Sequence, residues 1–389
     1  MTVAQQRMDR MVDSVAHVFD WYLGGDWEKH HLDPGVADFT FGNPQEMPLP
    51  GLVDALQRNA EPRDKDWFAY KLNEAEPRSV VAASLKERTG IDFRPGDINL
   101  TAGAFGALGV TIRALADEDD EVIFLSPPWF FYELMIASSG AKAVRVRLEP
   151  PDFDLDAEAV AAAITPRTRA IIVNSPHNPT GRIYRGPELA ALADVLREAS
   201  ERHGRPIVLL SDESYNRIVF DGIDFRTPAL DYDATITIYT YGKTTLAPGQ
   251  RIGWAAMTPN FPDREATGYR IFVQQLAAGW GFPNALLQHA IGDLEKLSID
   301  IGALQARRDR MVPALREIGY EVTNPEGTFY VMVRSPDPDD LAFSTRLAEL
   351  GALVLPGTIV ETPGWFRISL TASDDMVERG LDVFGKALG

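Results

Sequence analysis

Short apolar runs recur through the middle of the chain, at 98–100, 122–125, 143–146, 170–173, 207–210, 235–239 and 252–256. Each reads as a buried strand. Helical segments fall between several of them, for example 104–116, 156–164 and 187–202. Strands alternating with helices predict an α/β fold, with a mostly parallel seven-stranded sheet covered by helices on both faces. Upstream, residues 4–22 have the pattern of an amphipathic helix, and the Pro-rich residues 38–50 read as a connecting segment. Beyond residue 284 one long helical stretch is expected to about 318, followed by a small α+β unit. That unit has strands near 329–333, 352–355 and 365–370, and helices at 339–350 and 373–387. The expected organisation is an N-terminal segment (1–45) packing with a small C-terminal domain (285–389), and a large domain (46–284) between them in sequence.

Composition narrows the chemistry. The 389 residues are 45% hydrophobic and 24% charged, which is ordinary for a globular chain of two domains. A core of that size needs no disulfide or metal staple. With no cysteine, thiol catalysis, disulfides and cysteine-ligated zinc are excluded. Among the six histidines only His30 and His31 are neighbours, and no HExxH spacing occurs, so no metal site is expected. The formal net charge of −18 argues against nucleic acid as a partner and is read as a solubility feature. Residues 1–27 carry acids and lack the basic-then-apolar order of a secretory signal. No run approaches the ~20 apolar residues of a membrane span. A cytoplasmic location is expected.

In parallel sheets ligands bind beyond the carboxyl ends of the strands. Asn174, Asp212 and Tyr241 each directly follow a predicted strand. Lys243 lies in Thr240-Tyr241-Gly242-Lys243-Thr244-Thr245, and Arg251 follows eight positions later. Lysine is the amine that forms a Schiff base with an aldehyde, although a single loop lysine is usually just solvated. Asp212, in Ser211-Asp212-Glu213-Ser214-Tyr215, is either a strand-end acid or helix cap, or the partner of a protonated pyridine nitrogen. Tyr215 can reach the same ligand. Asn178, in Asn178-Pro179-Thr180-Gly181, is a turn residue or a donor to a ring oxygen. Thr101-Ala102-Gly103-Ala104-Phe105-Gly106 follows a strand and opens a helix, which suits a phosphate or is simply a tight turn. Arg251 would hold a phosphate more firmly, through charge-assisted bonds of roughly 1.5–3 kcal/mol each. Trp129 could stack on a flat cofactor, though core packing is the commoner role for such an aromatic cluster. Arg367 alternates with Phe366 and Ile368 on a strand, as a bidentate carboxylate clamp or a surface ion pair would. Together an amine, an acid and a cation read as a pocket for pyridoxal 5'-phosphate (PLP).

The ordered set Asn-Pro-Thr-Gly, Asp-x-x-Tyr, Lys with Arg at plus eight, then Phe-Arg-Ile-Ser-Leu resembles the PLP-dependent class I/II aminotransferases of fold type I. The resemblance runs from Gly42-Asn43-Pro44 to Arg367. It implies that Lys243 carries the cofactor and shuttles the proton, and that Asp212 pairs with the ring nitrogen. It implies Asn178 and Tyr215 at the ring oxygen, Trp129 stacked on the ring, and Gly103, Ala104, Phe105, Thr240 and Arg251 at the phosphate. Arg367, with Gly42 and Asn178, would bind the substrate. Tyr70 resembles the tyrosine that reaches the neighbour's cofactor phosphate, which implies a homodimer with shared active sites. The expected reaction moves an amino group between an α-amino acid and a 2-oxo acid. The alternative on the same scaffold is a PLP-dependent lyase or an oxidative or decarboxylating deaminase.

Overall fold

The computed structural model describes residues 3–389. Its largest sheet has seven strands: β1 (Ile98–Thr101), β2 (Glu121–Ser126), β3 (Lys142–Arg147), β4 (Thr168–Asn174), β5 (Val208–Asp212), β6 (Thr235–Thr240) and β7 (Gly253–Met257). They lie in the order β1-β7-β6-β5-β4-β2-β3. Only β7 runs antiparallel to its neighbours. All seven expected strands are present, each within a residue or two of its predicted ends.

The helices that matter for the site are α1 (Val3–Tyr22), α2 (Gly103–Leu115), α3 (Tyr132–Ser139), α4 (Gly186–His203), α5 (Arg264–Ala277), α6 (Ala285–Leu294) and α7 (Ile301–Ile318). Alternate residues of each strand feed opposite faces. Val122, Phe124, Ile172, Leu210 and Ile238 pack against Leu108 and Ile112 of α2, Ile136 of α3 and Ile271 of α5. Ile123, Leu125, Ile171, Val173 and Leu209 pack against Leu189, Leu192 and Leu196 of α4. A side chain of this size contributes ~1.5–3 kcal/mol when fully buried. This two-sided burial is why the strands read as continuous apolar runs.

The C-terminal part has a three-stranded antiparallel sheet. It is built from β8 (Tyr330–Arg334), β9 (Trp365–Ser369) and the short strand Leu355–Pro356, with α8 (Asp340–Leu350) and α9 (Asp374–Leu388) beside it. Ala37 and Phe39 are buried in the same core as Leu315, Phe366 and Phe384.

Two expectations are corrected. The run 352–355 is not one strand. Ala352–Leu353 pairs in parallel with Ala37–Asp38, while Leu355–Pro356 pairs antiparallel with β9. The chain changes sheets in mid-run because the N-terminal segment competes for its backbone. The helical stretch after residue 284 is also not continuous: α6 stops at Leu294 and α7 begins at the N-cap Asp300, whose carboxylate accepts the Ala303 N–H. Glu295 is drawn into a buried cluster with Tyr241, Arg217 and Ser84. The Ile299 N–H donates to the Thr244 carbonyl at 2.7 Å. These tertiary bonds outweigh local helix propensity, and they tie the break to the loop that bears Lys243.

Candidate active site

The carboxyl ends of β4 and β5 meet, because Asn174 and Asp212 are register partners. Asn174 Nδ2 donates to the Asp212 carbonyl at 2.8 Å, and its Oδ1 accepts the Asn178 N–H at 2.7 Å. One amide thus fixes both neighbours. The Asp212 carboxylate is buried, 5% exposed. Oδ1 accepts from Ser214 Oγ at 2.6 Å and Ser214 N at 3.2 Å, and Oδ2 accepts from Tyr132 Oη at 2.7 Å. Burial raises its pKa, against the donated bonds and the Lys243 charge, which lower it. A carboxylate in this state gains by meeting a cation. His177, in the neighbouring turn, is held neutral, since burial pushes its pKa down to about 3.

Beyond β6 the chain forms a single helical turn, Tyr241–Thr244, that carries Lys243. Tyr241 donates to Glu295 behind the turn, and Tyr239 Oη shares a hydrogen bond with Thr244 Oγ1 at 3.0 Å. The turn is therefore anchored, and Lys243 Nζ stands 5.3 Å from the ring centre of Tyr215. Gly103 opens α2 with φ +77°, a left-handed conformation that favours glycine. A Cβ there would come within 2.7 Å of Arg251 Nη2 and 3.2 Å of Thr240 Oγ1. Gly103 thus holds open a cradle of backbone N–H, hydroxyl and guanidinium. Arg251 Nη1 donates to the Pro248 carbonyl at 2.6 Å, and no carboxylate among the described residues pairs with it.

Ala104, Phe105, Trp129, Asn178, Asp212, Tyr215, Thr240, Lys243 and Arg251 line one cavity of about 200 Å³. A second cavity, about 440 Å³, shares Trp129, Asn178, Tyr215 and Lys243 and adds Gly42, Tyr330 and Arg367. Arg367 is 2% exposed. Its Nη1 donates to Asn178 Oδ1 at 3.0 Å and its Nη2 to the Thr40 carbonyl at 2.8 Å. The guanidinium carbon lies 3.9 Å from the Tyr330 ring centre, and the buried Nε has no partner among the described residues. A buried cation with only neutral partners and a spare donor is suited to an incoming carboxylate. Gly42 is required by close approach, since a Cβ would meet Phe329 at 2.4 Å and Tyr330 Oη at 2.6 Å.

Of the expected site residues only Tyr70 stands apart. It is 88% exposed and leans on Phe282, with ring centres 5.0 Å apart. Asn174, expected at a strand end, braces Asn178. Three contributors were not expected: Tyr132 and Ser214 hold Asp212, and Tyr330 is the third. Tyr330 hydrogen-bonds Tyr215 and underlies Arg367. Burial alone would raise the Tyr330 phenol. Arg367, Lys243 and the bonds donated by Tyr215 and the Gly42 N–H outweigh it, and its pKa lies below the usual phenol value. Tyr132 lies three residues beyond Trp129, but nothing local signals a partner 80 positions away.

The donor set fits PLP: an amine, a buried carboxylate 5% exposed, and an anion cradle that a Cβ would fill. Comparisons with known proteins bear on the family. The sequence matches the family described as Aminotransferase class I and II over residues 34–384. It is 31% identical over 360 residues to the aspartate/prephenate aminotransferase of Thermus thermophilus, covering 91% of each chain. It is 32% identical over 346 residues to a probable N-succinyldiaminopimelate aminotransferase of Mycobacterium tuberculosis, covering 83% of this chain and 81% of the relative. Among solved structures, an aminotransferase from Eubacterium rectale superposes with TM-score 0.87 at 28% identity, over 100% of this chain and 95% of that one. A Thermus thermophilus aspartate aminotransferase variant gives TM-score 0.82 at 27% identity, over 97% and 96%. These names all describe amino-group transfer and do not favour the lyase or deaminase alternative. No described helix is long and apolar enough to cross a membrane. The chain belongs to the class I and II aminotransferases, enzymes that move an amino group between an amino acid and a 2-oxo acid.

Proposed function

We propose that the 200 Å³ cavity holds PLP, with the Lys243 amine at its aldehyde. The observation that carries this reading is the convergence of Lys243, Asp212 and the Gly103–Arg251 cradle on one cavity. When bound, the cofactor supplies an electron sink for the charge left at the substrate's α-carbon. The protein's own groups do the rest. Asp212 keeps a proton on the ring nitrogen, and Tyr132 and Ser214 hold Asp212 in place. Asn178 and Tyr215 orient the ring oxygen. Trp129 lies against the ring. Thr240, Arg251 and the N–H groups at Gly103, Ala104 and Phe105 hold the phosphate. Lys243 Nζ takes the α-proton and returns it. Arg367, with Gly42 and Asn178, fixes the α-carboxylate.

The proposal extends to a homodimer in which Tyr70 reaches the neighbour's phosphate. Its 88% exposure supports this, since a buried tyrosine could not leave its own subunit. The reaction is placed in the cytoplasm, where free amino and 2-oxo acids are the reactants. The domain division at residues 45 and 284 is proposed with it.

Borohydride reduction of the yellow protein, followed by peptide mapping, tests the anchor. A pyridoxyl mass on the Lys243 peptide is expected, with none in Lys243→Ala. Labelling of another lysine, or a protein that stays colourless with added PLP, overturns it.

A further inference from the structure

The larger cavity runs on past Arg367 and Lys243 into a box of rings. Phe19 and Tyr22 come from α1, Trp27 and Phe41 from the following segment, and Phe130 and Phe131 from the stretch before α3. The rings interlock. Trp27 meets Phe41 edge-on at 5.2 Å and stacks on Tyr22 at 4.9 Å, while Phe130 meets Phe131 at 4.6 Å. Phe19 closes the box against Phe131 at 6.5 Å. The Trp27 N–H is already given to Asp38 Oδ2 at 3.0 Å, which also places a carboxylate behind that wall.

Among the described lining residues the only charged side chains are Lys243 and Arg367. The proposed function uses both, Lys243 at the cofactor and Arg367 at the α-carboxylate. No cation among the described lining residues remains for a second substrate carboxylate. We infer that this box receives the side chain of an aromatic or large apolar amino acid, and that aspartate and glutamate are poor substrates. The inference rests on the reading of Arg367 as the α-carboxylate site. It departs from the aspartate in the relatives' names.

Space and chemistry agree. A cavity of about 150 Å³ already admits benzene in another protein, and this one measures about 440 Å³. Edge and face contacts with surrounding rings favour an aromatic guest. A charged carboxylate in the same place would lose its water without gaining a partner among these lining residues. One methylene in an apolar pocket is worth ~10–200-fold in selectivity. Exchanging a phenyl ring for a carboxylate should therefore exceed about 100-fold.

The test uses the PLP-loaded protein and two unreactive acids, 3-phenylpropanoate and succinate, titrated by cofactor absorbance. Each offers a carboxylate to Arg367, and they differ in what enters the box. Phenylpropanoate is expected to bind at least about 10-fold tighter. In single-turnover reactions phenylalanine should exceed aspartate by about 100-fold in kcat/KM. Phe19→Ala, at a position 42% exposed and safe for folding, should weaken phenylpropanoate about 10-fold while leaving succinate affinity and the resting spectrum unchanged. Succinate binding as tightly as phenylpropanoate, or aspartate reacting as fast as phenylalanine, overturns the inference and leaves the Arg367 reading standing. Binding of neither acid overturns both. Unchanged phenylpropanoate affinity in both Phe19→Ala and Phe41→Ala overturns the assignment of the box.

Discussion

Glu213 stands next to Asp212 and faces the other way. Its carboxyl is 1% exposed and lies among Ser211 Oγ at 3.0 Å, Thr227 Oγ1 at 2.5 Å and Asn216 Nδ2 at 3.0 Å. Burial pushes its pKa from the usual 4.5 up to about 7, despite these donors and with help from the Asp212 charge. The buried Asn216 Oδ1 has no partner among the described residues. Turned over, the same amide would offer Oδ1 as the acceptor of a hydrogen bond from a neutral Glu213. Because the folded state holds the proton more tightly, the stability from this group is complete below about pH 4.5. It falls as pH rises and is lost above about pH 7. At 1.36 kcal/mol per pH unit the full loss is about 3 kcal/mol. Glu213→Gln keeps the shape and removes the titration. Urea unfolding of the cofactor-loaded protein, followed by tryptophan fluorescence at matched concentration, should find the variant gaining on wild type with pH. The gain between pH 5.5 and pH 8.5 should be about 2 kcal/mol. A difference that does not change with pH would refute a neutral, buried Glu213.

Three further outcomes follow from the site. Tyr132→Phe removes the 2.7 Å donor from Asp212; at roughly 1.5–3 kcal/mol for a bond to a charged group, kcat should fall about 10- to 100-fold with PLP still bound, and unchanged kinetics would mean that Tyr132 only packs. Arg367→Lys loses the forked donor pair, so KM for amino acids should rise at least about 10-fold with the resting spectrum unchanged; loss of PLP instead would move the residue to the cofactor site or the fold. Mixing Lys243→Ala subunits with Tyr70→Phe subunits should raise activity above that of either variant alone, because a mixed dimer contains one site with Lys243 and Arg251 from one subunit and an intact Tyr70 from the other. No rise despite proven subunit exchange rejects shared sites.

The sheet was legible because its strands are buried on both faces, so Val122 and Ile123 are equally apolar although they point to opposite helical layers. Strand ends then located Asn174, Asp212 and the turn of Lys243 by topology alone. What stayed hidden depends on distance in sequence. The break at 295–299 is made by Tyr241, Arg217 and Thr244, none of them local. The split of 352–356 is set by residues 37–39. Tyr132 and Tyr330 look like ordinary core aromatics until the fold brings their hydroxyls to Asp212 and Tyr215. Phe19, Tyr22, Trp27 and Phe41 follow the same rule: α1 was predicted, but not what it roofs.

The Arg367 guanidinium is bonded to Thr40 and to Asn178 and stands on β9, so three stretches distant in sequence meet at one side chain. An arriving carboxylate must share that side chain with them. Ligand occupancy and the seating of the stretch around Thr40 are then linked, and linkage is reciprocal. Whatever seats that stretch firmly raises affinity for acids, and acids in turn keep it seated. The metabolite pool itself would act as a clasp on this end of the chain. Starved of amino and oxo acids, the protein would open there more often to exchange with solvent and to proteases.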